Sequence, residues 1–306
     1  MTKRQKKRLI PLLIIAAVLI VGSLLPSLGL PGVPGWDTLF TEAGLRSGET
    51  DKLPLRVHFI DVGQGDCTLI QSGEANVLID GGKPGNDKKV TAYLKNHNVK
   101  QLDYLIATHP DSDHIGSLPE IIAAYPPKNV IMPRLTEKNT PTTKIYTRLL
   151  EAVKNSGAKV IAAEPGMSCT IGEAKMEIIA PLAQYNDANE MSVVARVTLG
   201  KIAYLFTGDA EGKSEAAMLA SGKVLRADVL KVGHHGSKTS SGKDFLAAVN
   251  PKAAVISCGQ GNSYGHPHSE TLSKLSAVGA QVYRTDQLGT IIIATDGKEL
   301  VTQWEK

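Results

Sequence analysis

The sequence predicts an α/β fold with layered sheets, preceded by a membrane-crossing segment. Three observations predict it. Short apolar runs of strand length alternate with helical stretches between residues 55 and 305. Acids and histidines repeatedly follow the ends of those runs, which is where α/β folds collect ligands. Finally, residues 9–30 form a nearly unbroken apolar run directly after a basic cluster.

At about 1.5 Å rise per residue, roughly 20 residues cross the hydrocarbon core, so the run at 9–30 is long enough. Lys3, Arg4, Lys6, Lys7 and Arg8 precede it and predict a cytoplasmic amino terminus with the remainder outside. A cleaved signal peptide, leaving a secreted product, is the rival reading. No A-x-A-like site is visible, and the run exceeds an ordinary signal-peptide core, which favours an uncleaved anchor. Pro11 and Pro26 would bound such a helix. Residues 31–54, rich in Gly and Pro with scattered charge, read as a linker.

The globular part starts at Leu55. Strands are expected at 55–60, 67–70 and 76–79, then a helix at 88–96 and a strand at 102–107. A helix opens at 115–118. Strands follow at 129–132 and 159–162, separated by a helix at 144–156. Further strands are expected at 177–180, 192–199 and 202–206, with a helix at 213–220. A strand at 228–232 ends in Gly233-His234-His235-Gly236-Ser237. Another at 253–257 runs into a Gly-rich loop holding His266 and His268, before a helix at 269–278. Late strands at 281–283 and 290–294 close the chain.

The chemistry centres on Thr108-His109-Pro110-Asp111-Ser112-Asp113-His114, which follows the strand at 102–107. Four of these seven side chains can bind a metal, and such crowding at one strand end points to a metal site. His109 and Asp111, two apart on extended backbone, can face one ion. Asp113 and His114, where the chain turns into a helix, can face a second. Asp209, in Thr207-Gly208-Asp209, has two oxygens and is the natural bridge. Two divalent ions about 3.5–4 Å apart can polarise a phosphoryl oxygen, generate hydroxide and hold the leaving group.

Composition limits the partners. With 42% apolar and 21% charged residues among 306, the chain has an ordinary globular make-up. The net charge of +4 belongs to the amino-terminal tail. Without those five basic residues, 29 basic face 30 acidic residues, so no polyanion-binding surface is indicated. Cys67, Cys169 and Cys258 are too few for a disulfide framework and lack zinc-site spacing. No G-x-S-x-G elbow, P-loop or dinucleotide fingerprint appears.

These motifs resemble a known family. His109-x-Asp111-x-Asp113-His114 is similar to the HxHxDH signature of the metallo-β-lactamase fold, and Asp80-Gly81-Gly82, Thr207-Gly208-Asp209 and His234-His235-Gly236-Ser237 resemble its further loops. The versions FIDVGQGD (59–66), FTGD (206–209) and KVGHHGS (231–237) resemble the metallo-hydrolase domain of ComEC-type competence proteins. The resemblance covers roughly residues 55–305. It implies an αββα sandwich with the metal site between two sheets, and a hydrolase, in that subgroup a phosphodiesterase or nuclease acting on one DNA strand.

The departures are specific. Asp111 stands where the superfamily has its second motif histidine, and Asn189 where a further histidine ligand is usual. Both substitutions also resemble the competence subgroup. They make the first site richer in oxygen, which suits Mn²⁺ or Mg²⁺, with Zn²⁺ also compatible. Full competence proteins carry many membrane spans, whereas one is expected here, so a role in DNA uptake does not follow from the resemblance.

The expected ligand set is therefore His109, Asp111 and Asn189 for one ion, and Asp113, His114 and one of His234 or His235 for the other, with Asp209 bridging. His234 is the slight favourite of the adjacent pair. Asp80 is expected to orient a ligand histidine from behind. His268, and less strongly His266, fits either substrate contact and protonation of the leaving oxygen or plain loop structure. Asp61, Gln64 and Asp66 fit either a tight hairpin or the rim of the site. Ser237, Thr239 and Ser240 could donate to phosphate, and His58 and His97 read as incidental. The expected activity is metal-dependent phosphodiester hydrolysis. Single-stranded DNA, small phosphodiesters or teichoic-type esters remain open as substrates. Hydrolysis of a carboxylic ester, thioester or lactam is the alternative, and a non-catalytic surface binding module is a third.

Overall fold

Two sheets each begin as an antiparallel meander and finish as a parallel, helix-crossed half. The computed structural model describes residues 45–47 and 50–305. The apolar run at 9–30 lies outside them. Among the described residues no helix is long and apolar enough to cross a membrane. A short strand, β1 (Leu45–Ser47), lies within the stretch expected to be linker. Residues 50–305 belong to one compact unit.

In that unit the first sheet contains β2 (Leu55–Phe59), β3 (Thr68–Ser72), β4 (Ala75–Ile79), β5 (Leu102–Ile106), β6 (Pro127–Met132) and β7 (Lys159–Ala162), with β15 (Ile291–Thr295) and β16 (Leu300–Trp304) returning to its antiparallel side. Its order is β16-β15-β2-β3-β4-β5-β6-β7. Pairing is antiparallel as far as β4 and parallel from β4 to β7. The second sheet runs β14-β13-β12-β11-β10-β9-β8. Here β8 (Ser168–Ile171), β9 (Ala174–Ala180), β10 (Val194–Leu199) and β11 (Ile202–Phe206) are antiparallel neighbours. Parallel additions β12 (Val229–Lys231), β13 (Ala253–Ile256) and β14 (Gln281–Arg284) complete it.

Helices cover the outer faces. The first sheet carries α1 (Asp87–Asn96), the one-turn α2 (Ser112–Ile115), α3 (Leu118–Ala124) and α4 (Lys144–Ser156). Val90, Leu94, Ile121 and Leu149 from these helices pack against Leu78, Leu105 and Val130 of the sheet. The second sheet carries α5 (Gly212–Ala220), α6 (Lys243–Val249) and α7 (Ser269–Ala277), with the single turn α8 (Thr285–Leu288) before β15. Met218, Phe245, Leu246 and Leu275 pack against Leu205, Leu230 and Ala254. α4 shows how sequence sets this. Tyr146, Leu149 and Val153 make one buried stripe, Thr143 caps the first turn by accepting from Tyr146 N (3.3 Å), and Gly157 ends the helix at φ +71°.

The inner faces meet as strand alternation demands. Ala203 and Leu205 turn outward under the helices, while Tyr204 and Phe206 turn inward. The Phe206 ring lies 6.2 Å from Phe59, and Tyr204 Oη donates to Ile293 O (3.2 Å). The result is the αββα layering that the resemblance implied. Beyond β1, further elements were not expected: β8, a polar edge strand, β16, which runs along β15, α6, a short helix following a serine-rich loop, and the turn α8.

Candidate metal centre

Five loops from the two sheets converge on one rim. The β2–β3 loop brings Asp66, the loop after β4 brings Asp80, and the loop after β5 brings His109 to His114. From the second sheet, Asp209 follows β11 and His234-His235 follow β12. Their approach depends on a glycine. A Cβ on Gly65 would stand 2.4 Å from the Asp113 carbonyl oxygen, and that same oxygen accepts from Asp66 N (3.1 Å). Asp80, His234 and His235 all have left-handed backbone, at φ +58°, +46° and +52°. Non-glycine residues held in this region cost about 1–3 kcal/mol each and concentrate at functional sites.

Asp209 sits at the middle of the cluster. Its Oδ1 lies 3.2 Å from His114 Nε2, and its Oδ2 lies 3.6 Å from His235 Nε2 and 3.8 Å from both His109 Nε2 and His234 Nε2. Asp113 Oδ2 is 3.3 Å from His235 Nε2, and Asp111 Oδ2 is 3.9 Å from His109 Nε2. Asp66, His114, Asp209 and His235 are all buried and offer ligand atoms within 4.8 Å of one another.

The far nitrogen of each imidazole is engaged, which turns the Nε2 lone pairs inward. Asp80 Oδ2 takes His114 Nδ1 at 2.8 Å and is itself held by Thr108 N and Oγ1. His235 Nδ1 meets Ser257 O (2.9 Å), and His234 Nδ1 meets Glu211 Oε1 (2.7 Å). His109 Nδ1 lies 3.1 Å from Thr108 Oγ1 and 3.4 Å from Ser192 Oγ, which also accepts from Asp209 N.

Burial opposes ionisation of Asp209, yet the imidazoles of His114 and His235 outweigh it and hold the carboxyl well below the usual carboxylate range. Burial likewise works against protonation of His235. Asp209, Asp66 and Asp113 nonetheless push it up to about 9, and Asp209 and Asp80 raise His114. His109 goes the other way, down to about 3, through burial and the neighbouring His114. So dense a set of buried carboxylates demands positive charge, carried either by protons on the imidazoles or by a divalent cation. His109 Nε2 and Asp209 Oδ1 are buried without a hydrogen-bond partner. Both are strong ligand atoms facing the same cluster, and the donor set fits a divalent metal.

Several sequence expectations shift in placement. The adjacent histidines do not divide between the cluster and the surroundings, because both turn Nε2 toward Asp209. Asn189 begins a 3₁₀ turn, and its side chain bonds to Glu211. Asp66 reaches deeper than a rim residue, whereas Asp61 stays in the turn, accepting from Gly63 N (3.0 Å). Gln64 Oε1 accepts from Gly259 N (3.1 Å), tying the β2–β3 loop to the loop after β13. His266 is nearer the cluster than His268, with ring centroids 5.5 Å from His234 and 6.3 Å from His235. His268 lies against His266 at 5.0 Å, and its Nδ1 accepts from Lys238 N (3.1 Å). Ser237, Thr239 and Ser240 bond mainly within their own loop. His58 is buried on the outer face of the first sheet beside Tyr93, away from this rim.

Sequence reasoning missed Glu211 and Lys231. A lone lysine inside the apolar run 229–232 was a usable signal, since a buried charge needs a partner. Glu211, two residues after Asp209 on extended backbone, was another.

Residues 60–260 match the family model described as the metallo-beta-lactamase superfamily. Over 254 residues the chain is 33% identical to ComE operon protein 3 of Bacillus subtilis (strain 168), covering 77% of this chain and 32% of that protein. It is 32% identical over 288 residues to competence protein ComA of Neisseria gonorrhoeae, covering 92% of this chain and 38% of the other. It thus spans about a third of the length of these curated relatives, which are ComEC-type competence proteins. Among solved structures, CmlA, a diiron beta-hydroxylase from Streptomyces venezuelae, superposes with a TM-score of 0.52 at 13% identity, over 79% of this chain and 54% of that one. That likeness concerns the fold alone. The fold, the buried Asp/His cluster and the matched motifs agree, and the chain belongs to the metallo-β-lactamase superfamily.

Proposed function

We propose that this chain is a metal-dependent phosphodiesterase with nuclease activity on single-stranded DNA, held outside the cytoplasm by an anchor over residues 9–30. The observation that carries the reading is the set of inward Nε2 atoms grouped around Asp209, with an orphaned ligand atom on each of His109 and Asp209. His109, Asp111 and His234 would hold one divalent ion. Asp113, His114 and His235 would hold the other, with Asp209 shared. The oxygen-rich donor set supports Mn²⁺ alongside Zn²⁺. Such ions supply Lewis-acid polarisation of the phosphoryl oxygen and a source of nucleophile at neutral pH.

The protein's own contribution is orientation and proton placement. Asp80, Glu211 and the Ser257 carbonyl fix His114, His234 and His235 so that no ligand atom must reorganise during the reaction. His266, held down to about 4 by burial and the surrounding imidazoles, is neutral at physiological pH and serves as an acceptor. His268 accepts through Nδ1 and so carries its proton on Nε2, the atom suited to protonate the departing oxygen.

The test is turnover of bis-p-nitrophenyl phosphate and of a single-stranded oligonucleotide by the full chain and its Asp113→Ala variant. Loss of both activities, with an unchanged near-UV circular dichroism spectrum, is the expected result. Turnover of acyl esters with inert phosphodiesters would shift the assignment to ester, thioester or lactam hydrolysis. No turnover at all, with no metal bound, would leave a binding module. Protease shaving of intact cells checks the topology, since a protected domain contradicts an external one.

A further inference from the structure

Tyr264 stands out among the exposed side chains. It is 59% exposed, yet it is an aromatic residue beside a buried polar cluster. Its ring lies nearly parallel to that of His266, with centroids 5.6 Å apart and planes 24° from one another. His266 in turn lies 5.5 Å from His234. Successive rings therefore lead from the cluster out to an open aromatic face.

The loop that presents this face is built to stay in place. Asn262 braces it across its width. Its Nδ2 donates to Gly259 O (2.9 Å) and His266 O (2.6 Å), and its Oδ1 accepts from Tyr264 N (3.2 Å) and His266 N (3.0 Å). Gly259 is held against the β2–β3 loop, where a Cβ would stand 2.7 Å from Gln64 N. The backbone that carries the exposed ring is thus braced, and one face of the ring lies against His266. Aromatic faces suit nucleobases, since every base offers a π-face and each stack is worth about tenfold or more in affinity.

We propose that Tyr264 is a stacking platform for a nucleobase next to the scissile phosphate, which makes single-stranded nucleic acid, rather than a base-free phosphodiester, the preferred substrate class of this site. The proposal rests on the phosphodiesterase reading above. It adds a specificity residue that touches the base and leaves the reacting atoms alone. Lys238, exposed and joined through its backbone N–H to His268, offers a cation to a neighbouring phosphate along the same rim.

The test separates the two readings by measuring binding and turnover independently. Fluorescence anisotropy on the full chain carrying Asp113→Ala compares a thymidine dodecamer with a dodecamer of abasic tetrahydrofuran residues. Tighter binding of the base-bearing strand by about tenfold is expected. Adding Tyr264→Ala should abolish that preference, and adding Tyr264→Phe should keep it, since the face and not the hydroxyl stacks. In the otherwise unaltered chain, Tyr264→Ala should raise KM for the oligonucleotide about tenfold at nearly unchanged kcat. Equal binding of the two strands, or a preference that survives Tyr264→Ala, overturns the proposal. Failure of the phosphodiesterase reading shows instead as absent turnover of either phosphodiester, whatever the binding ratio.

Discussion

Lys231 Nζ lies 2.9 Å from Asp66 Oδ2, and the two charges, both buried, join the second sheet to a loop of the first. Lys231 also donates to Val232 O (2.9 Å). Removing one member of such a pair leaves an uncompensated charge in a low-dielectric interior, a loss of about 3–5 kcal/mol. Lys231→Met should therefore lower the unfolding free energy read from urea titration by that amount, and adding Asp66→Asn should recover most of it. A single variant within 1 kcal/mol of wild type would show the pair to be solvated in solution.

Glu211 should matter through His234. Its Oε1 lies 2.7 Å from His234 Nδ1 and accepts from Thr239 Oγ1 (2.6 Å). Hydrogen bonds to the far nitrogen of a ligand imidazole are worth about 10–100-fold in metal affinity. Glu211→Gln is expected to weaken metal retention by that factor in competition with a chromophoric chelator. Unchanged retention would place His234 outside the ligand set.

Removing metal should loosen the fold. Ligands from both sheets gain binding energy only in the folded state. At metal concentrations about 100–1,000 times Kd, that linkage adds about 3–4 kcal/mol, or roughly 10 °C in Tm for a unit of this size. Dialysis against a chelator followed by calorimetry measures it, and re-addition of Mn²⁺ or Zn²⁺ should restore the transition. Asp209→Asn should show a much smaller response to either treatment.

The pH dependence of stability should carry a signature of Glu215, whose carboxylate bonds to backbone N–H groups and not to the imidazoles of the cluster. On α5, its carboxylate accepts from Ser241 N (2.5 Å) and Gly242 N (2.9 Å), capping the start of α6. Burial outweighs those bonds and raises its carboxyl to about 7. The folded protein then holds a proton that the unfolded chain has released between about pH 4.5 and pH 7. Stability from this group thus falls as pH rises through that window, by at most about 3 kcal/mol. Subtracting the urea midpoints of Glu215→Gln from those of wild type across this range isolates the effect, and a flat difference contradicts it.

Much of the fold was legible because apolar periodicity governs it. The bounds of α4, β7 and β11 coincide with those expected from sequence. The missed elements are those whose burial comes from neighbours. β16 (Leu300–Trp304) pairs along β15 with two exposed residues of five, and α6 is seven residues long and opens on Gly242, which has no side chain to cap it. At the site, residue types and strand ends pointed to the right loops. Depth and direction were invisible, because they depend on how one sheet sits on the other. Asp66 and Lys231, about 165 positions apart in sequence, meet only once the sandwich has closed.

The left-handed turn at His234 and His235 has a consequence for how this protein can change. On extended backbone, adjacent side chains diverge; here the winding sets neighbours shoulder to shoulder over one carboxylate. Neither imidazole can be relocated without unwinding the other, so the tandem should behave as a unit. A β-branched residue or proline at either position should dismantle both.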